Sequence, residues 1–270
     1  MKLAMNIRNW GPTATPEFLR ACAEAADQSG LDAIWFNDHL GFPPKIENNE
    51  YGIPDDMGTI LDPLGFATYL AACTQRIKFG TAVLILPYRP PIVTAKLLAT
   101  IQLLSHGRFL LGVGPGYLEE EFRALGVSRK RRGRDTDDMI DFLHACAESE
   151  LIEANGQPFV LSPKLDRPPI YIGGRTVRCG DGWMPVGFLP DELAPHIAEL
   201  NQRGAEAGRG PLEVVAMKTL PLNDRAAAID LAAAYRDAGV SHLVHTQGYD
   251  SPAQYAEIVQ QIDGEIRTAL

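Results

Sequence analysis

Short apolar runs alternate along the chain with longer segments whose apolar positions return at helical spacing, and the alternation continues from one end to the other. The runs at 3–10, 31–37, 77–86, 108–114, 169–173, 182–186, 212–220 and 241–246 read as strands. After its opening arginine the fourth is apolar, which suits a parallel strand covered by helices on both faces. Thr15-Pro16 opens the first helix with a capping hydroxyl and an early proline, and Gly30 closes it; Asp62-Pro63 opens a second that ends near Gln75. Further helices are predicted at 91–105, 118–125, from about Arg134 through Met139, Ile140, Phe142 and Leu143, and at 190–207 and 224–238. Ser251-Pro-Ala-Gln254 opens the last one with a capping box.

Two places depart from strict alternation. A polar, hairpin-like stretch at 154–165 precedes the fifth strand. Between the fifth and sixth strands only 175–179 remain, so that helix is very short or missing. Eight strands alternating with helices, with no linker, repeat or low-complexity break, predict one domain over 1–270. A closed (β/α)8 barrel, which takes about 250 residues, fits that count better than an open doubly wound sheet.

Composition narrows the partners. The chain has 270 residues, 46% of them hydrophobic, and a net charge of −9, so nucleic acid or an anionic membrane would repel it on average. It has no apolar run of membrane-spanning length and no signal-peptide pattern, so a cytoplasmic protein is expected. Cys22, Cys73, Cys146 and Cys179 are too widely spaced for a metal knuckle or a redox pair and read as free thiols; no metal site is expected. Gly-x-Ser-x-Gly, His-Glu-x-x-His and Walker motifs do not occur, which removes the commonest hydrolase, zinc-protease and P-loop readings.

A barrel carries its chemistry at the carboxyl ends of its strands. Here those ends hold Asn6 to Trp10, Asn37-Asp38-His39, Thr81-Ala82-Val83, Gly114-Pro115-Gly116, Gly173-Gly174-Arg175-Thr176 and His245-Thr246-Gln247. Asp38-His39 is the sharpest pair, since an imidazole at a strand end can pass a proton to a substrate oxygen; the plainer alternative is a turn cap beside a packed ring. The fourth-strand glycines let a flat ligand approach bare main chain. Gly173 to Thr176 offers amides, a guanidinium and a hydroxyl for a phosphate, or is a tight turn with a surface arginine. The basic run 129–134 is either a solvated face or, through Arg132 and Arg134, an attraction for an anionic cofactor tail. His245 is a site or a turn residue, and Trp10 a pocket wall. His106, His144, His196 and His242 carry no assigned chemistry.

Taken in order, Trp35-Phe-Asn-Asp-His-Leu40, 77–87, 95–117, Glu121-Phe-Arg-Ala-Leu-Gly126, Arg132-Gly-Arg-Asp135, 169–175 and Gly180-Asp-Gly-Trp-Met-Pro185 resemble the luciferase-like monooxygenase superfamily, and within it the F420-dependent oxidoreductases of actinobacteria. The resemblance spans nearly the whole chain. It implies a barrel that binds the deazaflavin F420, or alternatively FMN, at its carboxyl face and transfers a hydride to or from a small organic substrate. It also implies a cis peptide at Ala82-Val83 against the ring, with His39 acting on the substrate oxygen and Asp38 beside it. Cofactor contacts are expected from Asp38, Thr81, Ala82, Val83, Gly114, Gly116, Tyr117, Arg134, Gly173, Gly174, Arg175 and Thr176, and a homodimer is expected because such barrels are commonly dimeric. The alternatives are an FMN-dependent monooxygenase and a non-catalytic flavin or deazaflavin carrier. Several F420-dependent relatives place a glutamate just after the fourth-strand glycines, where this chain has Tyr117. A carboxylate proton donor is therefore expected to be missing, and the fifth unit to be shorter than usual.

Overall fold

The computed structural model describes residues 1–46, 58–174 and 178–270. Eight parallel strands close into a barrel in the order β1 (Lys2–Asn6), β10 (His242–His245), β9 (Glu213–Lys218), β8 (Gly182–Trp183), β7 (Ile170–Ile172), β4 (Phe109–Gly114), β3 (Lys78–Ile85) and β2 (Ala33–Phe36). The two strands outside it, β5 (Leu151–Ala154) and β6 (Gln157–Val160), form an antiparallel hairpin across Asn155-Gly156, both at positive φ. This hairpin starts three residues before the polar stretch expected at 154–165, because the apolar Leu151 and Ile152 belong to it.

The helices are α1 (Pro16–Asp27), α2 (Pro63–Cys73), α3 (Pro91–Ser105), α4 (Glu119–Leu125), α5 (Arg132–Glu148), α6 (Pro190–Glu206), α7 (Arg225–Asp237) and α8 (Pro252–Gln261). Side-chain oxygens cap several of them: Thr15 accepts from the Phe18 amide, Asp62 from Leu64 and Gly65, Asp224 from Ala227 and Ser251 from Gln254. Among the described residues no helix stands between β7 and β8, where the sequence left too few residues for one.

Two apolar shells hold the fold. The outer one lies between strands and helices and includes Leu3, Ile34, Phe79, Leu98, Phe109, Ile140, Tyr235 and Tyr255. The inner one fills the barrel with Ala4, Ala33, Trp35, Leu110, Tyr171, Met184, Val215 and Val244. Small residues on β1 and β2 leave room for Trp35, whose ring meets Tyr171 edge-on at 5.7 Å. β3 and β4 lie so close that a Cβ at Gly112 would sit 2.0 Å from the Thr81 carbonyl oxygen. The barrel is therefore a packed core, and open space begins only beyond the strand ends.

Candidate active site

A cavity of about 470 Å³ opens at the carboxyl ends of the strands. Its walls are Asn37, Asp38 and His39 after β2, Ala82, Val83 and Ile85 of β3, Gly114 to Tyr117 after β4, Gly173 and Gly174 after β7, and Trp183 to Val186, Phe188 and Met217 beyond. It is lined by far more carbon than polar atoms, with main chain exposed at the glycines.

The third-strand wall has an unusual backbone. β3 pairs with β4 through Thr81 opposite Leu111 and again through Leu84 opposite Val113, so it carries one residue more than its neighbour across this interval. The peptide joining Ala82 to Val83 within that bulge is cis, at the bond the resemblance implied. Asn37 donates from Nδ2 to the Ala82 carbonyl at 3.3 Å, and Asn9, fully buried, donates to the Asn37 carbonyl at 2.9 Å and accepts from its amide at 3.0 Å. Opposite, a Cβ on Gly114 would lie 2.7 Å from Val83 Cγ2, so any other residue there would have to push Val83 aside.

His39 sits at the rim with its side chain 14% exposed. Its ring meets Tyr117 edge-on at 5.7 Å and Phe42 at 4.8 Å. Nε2 lies 3.4 Å from the Tyr117 hydroxyl, and Nδ1 lies 2.9 Å from Oε2 of Glu121. Glu121 belongs to the first turn of α4 and is 4% exposed; it also accepts from the Leu40 amide at 2.6 Å and the Tyr88 hydroxyl at 2.9 Å. Burial, and then the adjacent Glu121 carboxylate, push the Tyr88 hydroxyl well above its ordinary pKa, so it stays a donor. Tyr88, Phe122 and Ile85 pack together beneath this set. Gly116, at φ +76°, lets the chain pass over Ile85 and deliver Tyr117 and α4 to the rim.

A carboxylate does stand behind His39: Glu121, four residues after Tyr117, which accepts hydrogen bonds there and does not itself line the cavity. The sequence carried a signal for it. Leu118, Glu121 and Phe122 recur at three and four residues, and all three are buried, so Glu121 falls on the apolar face of a short helix while Glu119 does not.

Asp38 stands in the cavity wall beside His39, with its carboxylate held by partners within the protein. Its carboxylate accepts a fork from Arg89 at 2.6 and 2.9 Å and the Ile85 amide at 2.8 Å, and Arg89 also reaches Asp62 at 2.9 Å. Burial raises the Asp38 carboxyl and the Arg89 fork opposes it; burial lowers Arg89, and the Asp38 carboxylate more than restores it. With both oxygens engaged, Asp38 ties β2 to the end of β3.

Other expected contacts separate just as plainly. Ala82, Val83, Gly114, Gly116, Tyr117, Gly173 and Gly174 line the cavity. Thr81 does not: it is fully buried and donates to the Gly112 carbonyl at 2.7 Å, since alternation along β3 turns it away. Arg134 lies on the outer face of α5, 77% exposed and 3.6 Å from Asp138, so it is a solvated surface charge. Arg175 and Thr176 lie outside the described residues. His245 is a packed residue whose Nδ1 accepts from the Leu220 amide at 3.1 Å; burial lowers it to about 4 and keeps it neutral. Trp10 bridges to Ile60 with the Arg8 guanidinium 5.5 Å from its ring, and takes no part in the cavity wall.

Barrel, bulged third strand and glycine-walled cavity together describe an α/β barrel with a cavity at the carboxyl ends of its strands. The chain matches the luciferase-like monooxygenase family over residues 3–266, and it belongs to that family. It is 31% identical over 232 residues to the F420-dependent glucose-6-phosphate dehydrogenase of Amycolatopsis mediterranei, covering 78% of this chain and 64% of that one. Among solved structures it resembles an F420-dependent secondary alcohol dehydrogenase in complex with an F420–acetone adduct, with TM-score 0.78 and 16% identity over 98% of this chain and 99% of that one. It also resembles the oxygenating constituent of 3,6-diketocamphane monooxygenase from Pseudomonas putida in complex with FMN, with TM-score 0.73 and 14% identity over 98% of each.

Proposed function

We propose that this protein is an F420-dependent oxidoreductase that moves a hydride between the deazaflavin and a small, uncharged organic substrate, with His39 exchanging a proton with the substrate oxygen. The observation that carries the reading is the pairing of a ring-sized, main-chain-walled slot with one imidazole at its rim. The cofactor supplies the hydride chemistry when bound. Val83, Gly114 and Gly116 would hold the ring, with Gly173 and Gly174 toward the phosphate-bearing tail. Asn37 and the Asp38–Arg89 pair keep the third-strand wall in place, and the apolar walls at Met184, Phe188 and Met217 exclude water from the reacting atoms. Proximity then does more than acid strength.

A second reading, an FMN-dependent monooxygenase, is supported by the likeness to the FMN-bound structure, because no described wall residue selects a deazaflavin over a flavin. Titrating the protein with F420 and with FMN under identical conditions, following absorbance and fluorescence, separates the two. Tighter binding of F420 supports our reading and tighter binding of FMN the other; binding of neither overturns both.

Among the described residues no helix is long and apolar enough to cross a membrane, and we place the enzyme in the cytoplasm. We also propose a homodimer. Val93, Leu97 and Leu104 stand exposed on one face of α3, a row that a second copy would cover.

A further inference from the structure

We propose that Glu121 is a positioning residue that fixes His39 as its Nδ1–H tautomer and so leaves Nε2 as a proton acceptor at the cavity. The proposal rests on His39 acting on the substrate oxygen, and extends it to a residue the strand ends do not contain.

The argument starts from the donors around Glu121. The Leu40 amide can only donate, and it meets Oε1 at 2.6 Å. The Tyr88 hydroxyl keeps its proton and meets Oε2 at 2.9 Å. As a carboxylate, this group, 97% withdrawn from water and receiving two hydrogen bonds, accepts on both oxygens. His39 Nδ1, 2.9 Å from the same Oε2, must then carry a hydrogen. A neutral imidazole has one, so Nε2 is bare. The Tyr117 hydroxyl, 3.4 Å from Nε2, is the donor placed to meet that lone pair. Hydrogen bonds thus run in one direction, from Tyr117 through the imidazole to Glu121.

That direction defines the chemistry. A ring with a bare Nε2 takes a proton, so the group it serves is a hydroxyl, and the substrate class is an alcohol and its carbonyl product. The substrate O–H bond breaks with its proton going to Nε2. The adjacent C–H bond breaks with its electron pair leaving as hydride for the flavin-type acceptor, and the carbon–oxygen double bond forms. The imidazolium produced stays 2.9 Å from the Glu121 carboxylate, which stabilises it, and in the reverse direction it returns the proton to the carbonyl oxygen.

The test reads the imidazole directly in cofactor-free protein. Two-bond ¹H–¹⁵N spectra in alkaline buffer, with the His39 signals identified by their loss in H39A, should show the Nδ1–H form in the wild type. Glu121→Gln presents an amide N–H to Nδ1 and should turn the ring to the Nε2–H form, whereas Tyr117→Phe should leave the tautomer as it is. In loaded enzyme E121Q should lower alcohol turnover by about 10²-fold or more, and the double variant H39A/E121Q should be no slower than H39A. An Nε2–H or evenly mixed ring in the wild type overturns the proposal even if E121Q does not fold, and so does an E121Q ring that stays Nδ1–H. An Nδ1–H ring in a protein whose H39A variant turns over normally would uphold the Glu121 assignment and remove the acid–base role of His39 instead.

Discussion

Each end of the barrel holds a histidine beside a glutamate that also accepts a tyrosine hydroxyl. At the carboxyl end the set is His39, Glu121 and Tyr88. At the amino end Glu213 lies 3.3 Å from His242 Nε2 and accepts from the Tyr171 hydroxyl at 2.6 Å. The difference is what meets the imidazole. His242 is 3% exposed, and the Lys2 ammonium lies 3.1 Å from its Nε2. His39 instead meets its glutamate through Nδ1, has Nε2 beside the Tyr117 hydroxyl, and lines a 470 Å³ cavity that the amino-end set does not. Residue type therefore does not make a site. Strand direction does: the chain leaves the strands' carboxyl ends through glycine loops that hold space open, and enters at the amino ends through side chains that close the barrel.

The sharpest way to break this contrast is to remove each imidazole in turn. His39→Ala should lower turnover by about 10²–10⁴-fold while leaving cofactor affinity close to that of the wild type. His242→Ala should leave turnover intact and cost about 1–3 kcal/mol of stability, because it strips a partner from a buried polar set. Steady-state kinetics and thermal melts of the two variants decide the matter; equal losses of turnover would erase the distinction between the ends.

A smaller effect probes the space itself. Gly114→Ala would press a methyl group onto Val83, whose branched side chain has little freedom to turn aside, and should weaken cofactor binding by about 1–3 kcal/mol. Gly133, on α5 away from the cavity, where a Cβ meets nothing within 4 Å, should accept alanine with little change. Calorimetric titration of both variants gives the comparison, and equal affinities would show that the slot beside Val83 does not receive the ring.

How far the sequence carried these conclusions depends on the range of each contact. The eight strands were legible because period and punctuation are local, and so was the place of His39 at a strand end. Asp38 was legible as a site residue but not in its duty, because Arg89 lies 51 positions away and nothing local announces their pairing. Thr81 was misplaced for a local reason: in a strand with a bulge, neighbouring positions face opposite ways, and only the structure tells which. Glu121 entered only as the first residue of the stretch 121–126 and was given no role, although its spacing with Leu118 and Phe122 put it on the buried face.

The smallest effect is expected at the amino end, and pH brings it out. Contact with His242 does most to hold the Glu213 carboxyl below the usual range; burial works against this, and the Lys2 and Tyr171 hydrogen bonds add to it. A carboxyl whose folded value is depressed adds stability above its unfolded value, about 4.3, and loses that contribution as the pH falls below it toward the folded value. Glu213→Gln cannot titrate, so it should melt below the wild type at neutral pH, and the gap should narrow as the pH drops beneath about 4. Since the Glu213 side chain is 38% exposed, solvent screens the set and the gap should be modest. Melting curves across the acid range, with turnover measured alongside, test the point. A gap that stays constant with pH would mean that the ionised carboxylate contributes nothing to closing the amino end, and a fall in turnover matching that of E121Q would mean that the two ends are not separate in function.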